Sequence, residues 1–202
     1  MTGLLMVASA YIAAQMLADV GSLKIISILG FSLDAGTLIY PITFTLRDLV
    51  HKTGGIRAAR TLIFTAAATN LAMAGFFALV ARLPGDPSVS QADFGAVLAP
   101  VWRIVIASII AEVISELVDT EAYRLWVEHV LARYEWTRVL VSNAVSVPLD
   151  SLVFAWLAFG GVLAPGVVWS IVLSNILLKG ATTLVGMPLI YVVKPGGEEI
   201  AR

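Results

Sequence analysis

Three groups of ionisable and amide side chains sit at helical spacing inside stretches otherwise made of apolar residues. Glu112, Glu116 and Asp119 fall at i, i+4 and i+7, one face of a helix, with Ser115 beside them. Asn143, Ser146 and Asp150 share a face of a second stretch, and Asn175, Lys179 and Thr182 a face of a third. A charge inside lipid costs roughly 2.5–3.5 kcal/mol at the centre of a span on insertion scales, so such residues turn to the bundle interior or a watery cavity. If the three stripes converge, they form a pocket of carboxylates, amides and one ammonium that can hold a small polar molecule through directed hydrogen bonds. A structural reading stands beside this functional one. Glu116 and Asp119 also fit the solvated edge of a membrane. Lys179 also fits a structural bridge to Asp150 or Glu112. Asn70 and Gln15 are weaker companions, and a lone amide such as Asn70 is commonly glue between helices. Glu112 is hardest to explain away, lying mid-stretch with apolar neighbours on both sides.

The elements that must carry these stripes are membrane helices. Of the 202 residues, 59% are hydrophobic and 13% charged, and the mean hydropathy is +0.91. Soluble domains carry about 45–50% apolar and about 25% charged residues, so lipid is the natural solvent for this chain. A spanning helix needs about 20 apolar residues, and six such stretches appear. They cover 3–20, 35–50 (interrupted by Pro41), 58–81, 101–117 (opened by Pro100), 139–159 (containing Pro148) and 167–193 (containing Lys179 and Pro188). The expected fold is all-α: a polytopic membrane protein of about six transmembrane helices, one domain over residues 1–202. Residues 21–34 read as a hairpin or re-entrant piece split by Gly30, 82–99 as a surface loop, 119–138 as an interfacial helix plus a turn, and 160–166 as a tight turn.

Lys and Arg set the orientation, because cytoplasmic loops hold their excess. With the N-terminus inside, Arg47, Lys52, Arg57, Arg60, Arg124, Arg133, Arg138, Lys194 and Arg202 are cytoplasmic, while Lys24, Arg82 and Arg103 lie outside. Both termini are thus expected in the cytoplasm. Small residues recur every four positions at Ala10, Ala14 and Ala18, and at Ala107, Ala111 and Ser115. Such faces let helices approach closely, either within the chain or against another subunit.

Several function classes recede. A net charge of −1 gives no reason to expect nucleic acid as a partner, and the lack of cysteine removes disulfides, thiol nucleophiles and thiolate metal sites. No HExxH, GxSxG or P-loop pattern is present, so no enzyme is expected. No metal and no cofactor is implied.

Three ordered segments carry a family resemblance. GTLIYPITFTLRDLV (residues 36–50), followed by a basic loop, resembles the second-helix motif of the queuosine-precursor transporters, also called the vitamin-uptake-transporter-like family. IASIIAEVISELVDT (106–120) resembles the family's fourth-helix pattern, and SNAVSVPLDS (142–151) its fifth. The loop at Lys52, Thr53, Gly54 and Gly55 departs from a more acidic, aromatic version. The resemblance implies a multi-pass protein of the cell inner membrane, importing a deazaguanine base for tRNA queuosine. The family is also similar in helix count to the substrate-binding components of energy-coupling-factor importers.

For such a ligand, Glu112 or Glu116 would accept the paired N–H donors of a guanine-like edge. Asp150 would add an acceptor or hold an aminomethyl ammonium. Asn143 and Asn175 would read a carbonyl and ring nitrogens, and Lys179 would keep a carboxylate ionised. Tyr40, Phe44 or Trp156 would stack on the base. The alternative is a substrate-binding subunit that docks on an ATP-driven module through the alanine stripe of the first helix. Purification as a lone protein or a homodimer favours the first reading. An intramembrane enzyme is a third class, for which no compelling dyad is present. The driving force and the particular precursor stay open.

Overall fold

The computed structural model describes residues 2–86, 88, 94–129 and 135–186, with the side chains of some of these, Phe44 and Glu116 among them, left outside the description. It is helical apart from one hairpin and an isolated bridge between Gly160 and Leu163. The helices are α1 (Thr2–Gly21), α2 (Tyr40–Val80), α3 (Phe94–Leu98), α4 (Val101–His129), α5 (Glu135–Phe159) and α6 (Pro165–Gly186). Among the described residues, four segments are long and apolar enough to cross a bilayer: Gly3–Gly21, Arg57–Val80, Phe94–Ser115 and Pro165–Val185. Asn143–Phe159 is a shorter apolar helix. Large apolar side chains such as Leu5, Leu17, Phe64, Phe76 and Leu177 face outward, as expected where lipid replaces water. The chain is a polytopic, mostly helical membrane protein.

The segment after α1 is a β-hairpin, strands β1 (Ile25–Ile28) and β2 (Phe31–Asp34). Leu29 and Gly30 both have positive φ, 52° and 84°, the conformation whose twist matches a two-residue hairpin turn. The backbone of Ser32 is held on both sides by α6. Its N–H donates to Ser170 Oγ at 2.7 Å, and its carbonyl accepts from Ser174 Oγ at 2.9 Å. Serines one turn apart thus satisfy a strand edge that would otherwise be bare.

Pro41 was expected to interrupt the stretch 35–50; instead it lies at the start of a helix. A 3-10 turn, Ala35–Leu38, comes first, capped by the Asp34 side chain, and α2 then begins at Tyr40 with the proline in its first turn. There the missing N–H costs nothing. The second and third predicted spans are two arms of α2, broken at Gly55, where φ is 76° and ψ 177°. That backbone region is essentially reserved for glycine. Threonines down α2 donate to their own helix, Thr61 to the Arg57 carbonyl, Thr65 to Thr61 and Thr69 to Thr65. Their hydroxyls therefore face an apolar environment already satisfied.

The chain divides into two compact units. The first comprises Met1–Ile25 and Asp34–Ile106. Its core joins Tyr11 of α1 to Val50, Leu62 and Ala66 of α2. Ala14 and Ala18 are buried in the packing of this chain, so of the two roles expected for the stripe, packing within the chain is the one mostly realised. Small side chains there bring α1 against α2 and the 3-10 turn. The second unit holds residues 26–33 and the chain from Ala107 onward. In it α5 and α6 pack through Phe154, Ala155, Ala158, Val168, Ile171 and Val172, all buried. The expected tight turn joins them, with Gly161 at φ 77°.

Candidate functional site

The second unit brings together one residue from each of the three predicted polar stripes. Lys179 on α6 forms an ion pair with Asp150 on α5. Ser115 on α4 donates to the other Asp150 oxygen, Oδ1, at 3.3 Å, and also reaches the Glu112 carbonyl at 3.1 Å. Lys179 is 3% exposed and the Asp150 side chain 20%. A buried ammonium stands only if its partner and its hydrogen bonds are well placed. Here the pairing considered between Lys179 and Asp150 is realised, so the central charge of the cluster is balanced. Thr182 and Thr183 both donate to the Lys179 carbonyl, at 2.9 and 3.0 Å.

Asn175 lies one turn before Lys179 on α6 and is fully buried. Asn143 lies two turns before Asp150 on α5 and is half-buried, as is Glu112 on α4. Ser146 is buried as well, and the Ser151 hydroxyl is fully enclosed with no hydrogen-bond partner among the described residues. The arrangement offers acceptors at Asp150 and Glu112, an amide at Asn175 and an ammonium at Lys179. It can recognise a ligand with both donors and acceptors on one edge. Tyr40 and Phe44, named as stacking partners, lie in the first unit on α2. The side chains of Phe44, Glu116 and Asp119 fall outside the described residues. Trp156 stacks edge-on against Trp169, ring centres 5.8 Å apart. No group of three His, Asp or Glu side chains that could hold a metal occurs among the described residues.

A second set of polar contacts, in the first unit, was not anticipated. Asn70 donates to Asp19 Oδ2 at 2.6 Å, and both are buried. Asp34, fully buried, accepts from Ser22 Oγ at 2.7 Å, from the Thr37 N–H at 3.1 Å and from Thr37 Oγ at 2.7 Å. The Asn70 contact joins residues 51 apart in sequence, which no local spacing reveals. It bears out the reading of Asn70 as interhelical glue. Asp34 carried one signal, an Asp directly before a turn with Thr three residues on, a capping pattern.

Residues 34–193 match the model of a protein family described as "Putative vitamin uptake transporter". The chain belongs to this family. The matched region takes in α2 through α6, and with them the whole Ser115–Asp150–Lys179 cluster. Among curated proteins, this vitamin-uptake-family member is similar to one of Bacillus subtilis (strain 168) named "Probable queuosine precursor transporter". The two are 24% identical over 184 residues, which cover 90% of this chain and 80% of the relative. No solved structure matches. Family membership and the apolar helices together make this a multi-pass membrane transporter.

Proposed function

We propose that this transporter imports queuosine precursors, deazaguanine bases, across the cell inner membrane, acting without a dedicated energising subunit. The observation that carries the reading is the similarity to a queuosine precursor transporter along 90% of this chain and 80% of that relative. The Ser115–Asp150–Lys179 cluster supports it, because a deazaguanine presents adjacent N–H donors and ring acceptors on one edge. In this reading Glu112 accepts the paired donors and Asn175 and Asn143 read the remaining edge. Asp150, held by Lys179, takes a further donor, and Glu116 lies one turn beyond Glu112. An energy-coupling-factor type of assembly finds less support, since Ala14 and Ala18 are already buried within the chain.

Calorimetry on the detergent-solubilised protein tests the binding reading. Wild type is expected to bind a deazaguanine base saturably and to ignore an unrelated vitamin. Glu112→Gln replaces one acceptor oxygen with a donor. Losing a hydrogen bond to a charged group costs about 1.5–3 kcal/mol, roughly ten- to a hundredfold in affinity. Unchanged affinity with a lowered melting temperature would instead assign Glu112 to helix–helix bonding.

The distribution of Lys and Arg, nine residues on one side against three on the other with Lys179 in the membrane, supports a cytoplasmic position for both termini. The chain has no cysteine, so single reporters are clean. In Ser88→Cys the thiol is expected to react with an impermeant reagent from outside, and in Thr53→Cys only from the cytoplasm. Reaction of both from the same side contradicts this orientation.

A further inference from the structure

We propose that the first unit carries a binding site for one anionic phospholipid, in the groove between the end of α2 and the start of α4. The groove has a volume of about 340 Å³ and is lined by Ala78, Ala81 and Arg82 on the α2 side and by Ala99 and Trp102 on the α4 side. Its floor is built from alanine, so two helix ends stand apart with no large side chain between them. Beside it Phe77 of α2 packs edge-on against Phe94 of α3, ring centres 6.2 Å apart, and Gly95 of α3 lies close to Ala81. Near these residues in sequence, Leu79, Leu83 and Val97 are each about 60% exposed, apolar surface that an acyl chain would cover.

Depth in the membrane fits the same occupant. The apolar span Arg57–Val80 ends two residues before Arg82, and Trp102 stands in the first turn of α4. Arg82 therefore lies where hydrocarbon gives way to headgroups, with Trp102 inside the apolar segment Phe94–Ser115. The Trp102 ring is half exposed, and an indole offers an apolar face with one N–H that can bond a headgroup or glycerol oxygen. Arg82 is exposed, and its guanidinium has no hydrogen-bond or ion-pair partner among the described residues. Guanidinium pairs with phosphate in a bidentate fashion. The nearest acidic residue in sequence, Asp86, is already engaged. Its Oδ1 accepts from the Ser88 hydroxyl at 2.6 Å and the Ser88 N–H at 2.8 Å, and these bonds hold its carboxyl below the usual range. The groove thus pairs one cationic side chain with an otherwise apolar lining, the complement of a phosphate headgroup carrying acyl chains. Net negative charge on the headgroup is preferred, because a choline would set its own cation against Arg82.

The test is the melting temperature of the delipidated full chain in neutral detergent, with added phosphatidylglycerol, phosphatidylcholine or inorganic phosphate. Phosphatidylglycerol is expected to raise it by roughly 2–4 °C and phosphatidylcholine by less. Arg82→Gln, at an exposed position, should abolish the difference between the two lipids while leaving the lipid-free melting temperature unchanged. Ala81→Leu, which fills the groove, should abolish the response to both lipids. Equal stabilisation of wild type by both lipids, or a preference for phosphatidylglycerol that survives in Arg82→Gln, overturns the proposal. Stabilisation by inorganic phosphate equal to that by phosphatidylglycerol would show a small-anion site and overturn it equally.

Discussion

Lys179→Met is expected to abolish saturable binding of the base and to lower the melting temperature by roughly 10 °C. The ammonium is 3% exposed and paired with Asp150. Removing one member of a buried pair strands the other, at a cost of about 3–5 kcal/mol. The lower end applies, because the Asp150 side chain keeps 20% exposure and can draw in water. About 3 kcal/mol at 2–4 °C each for a chain of this size gives the stated shift. Adding Asp150→Asn removes the stranded charge. The double variant should therefore recover most of the melting temperature and none of the binding. Recovery of both would mean that the pair only joins α5 to α6 and that the ligand is held elsewhere.

Gly36→Ala is expected to be the most damaging single methyl in the described part of the chain. A Cβ at Gly36 would stand 2.1 Å from both the Ala18 carbonyl oxygen and Ser22 Oγ. Neither can yield freely. The Ala18 carbonyl accepts the Ser22 N–H that ends α1, and Ser22 Oγ is committed to Asp34. Forcing the methyl in must part α1 from the 3-10 turn, at about 3 kcal/mol, the upper end for an overpacked site. Gly21→Ala, facing Gly36 at 3.3 Å, should cost less. Melting curves and the yield of folded protein in the membrane report the effect, with ligand affinity unchanged in the fraction that folds. A wild-type melting temperature in Gly36→Ala would show that this close approach does not hold α1 in place.

Much of this organisation is legible in the sequence, for a physical reason. Lipid forces each span to be long and apolar, so a polar residue such as Glu112, Asp150 or Lys179 stands out and its helical spacing shows which face it shares. The prediction that the three stripes could meet rests on that contrast, and the Ser115–Asp150–Lys179 contacts realise it. What local pattern cannot show is pairing at a distance. Asp19 with Asn70, and Ser32 with Ser170 and Ser174, depend on which helices become neighbours. The hairpin was only half visible. Its turn, Leu29-Gly30, lacks the Asn or Asp that usually marks two positive φ values in succession. Pro41 stands out in the sequence but its effect does not, because the same residue breaks a helix from within and starts one from the first turn.

The central claim is import of a queuosine precursor, and queuosine in tRNA measures it most directly. The chain should be expressed in a bacterium that can neither make the precursor nor import it, with a limiting amount of base outside. The account predicts that tRNA regains queuosine with wild type and that the Lys179→Met, Asp150→Asn double variant, present in the membrane at a matched level, does not restore it. Absence of queuosine with wild type, despite folded protein in the membrane and an intact incorporation pathway, would contradict the account.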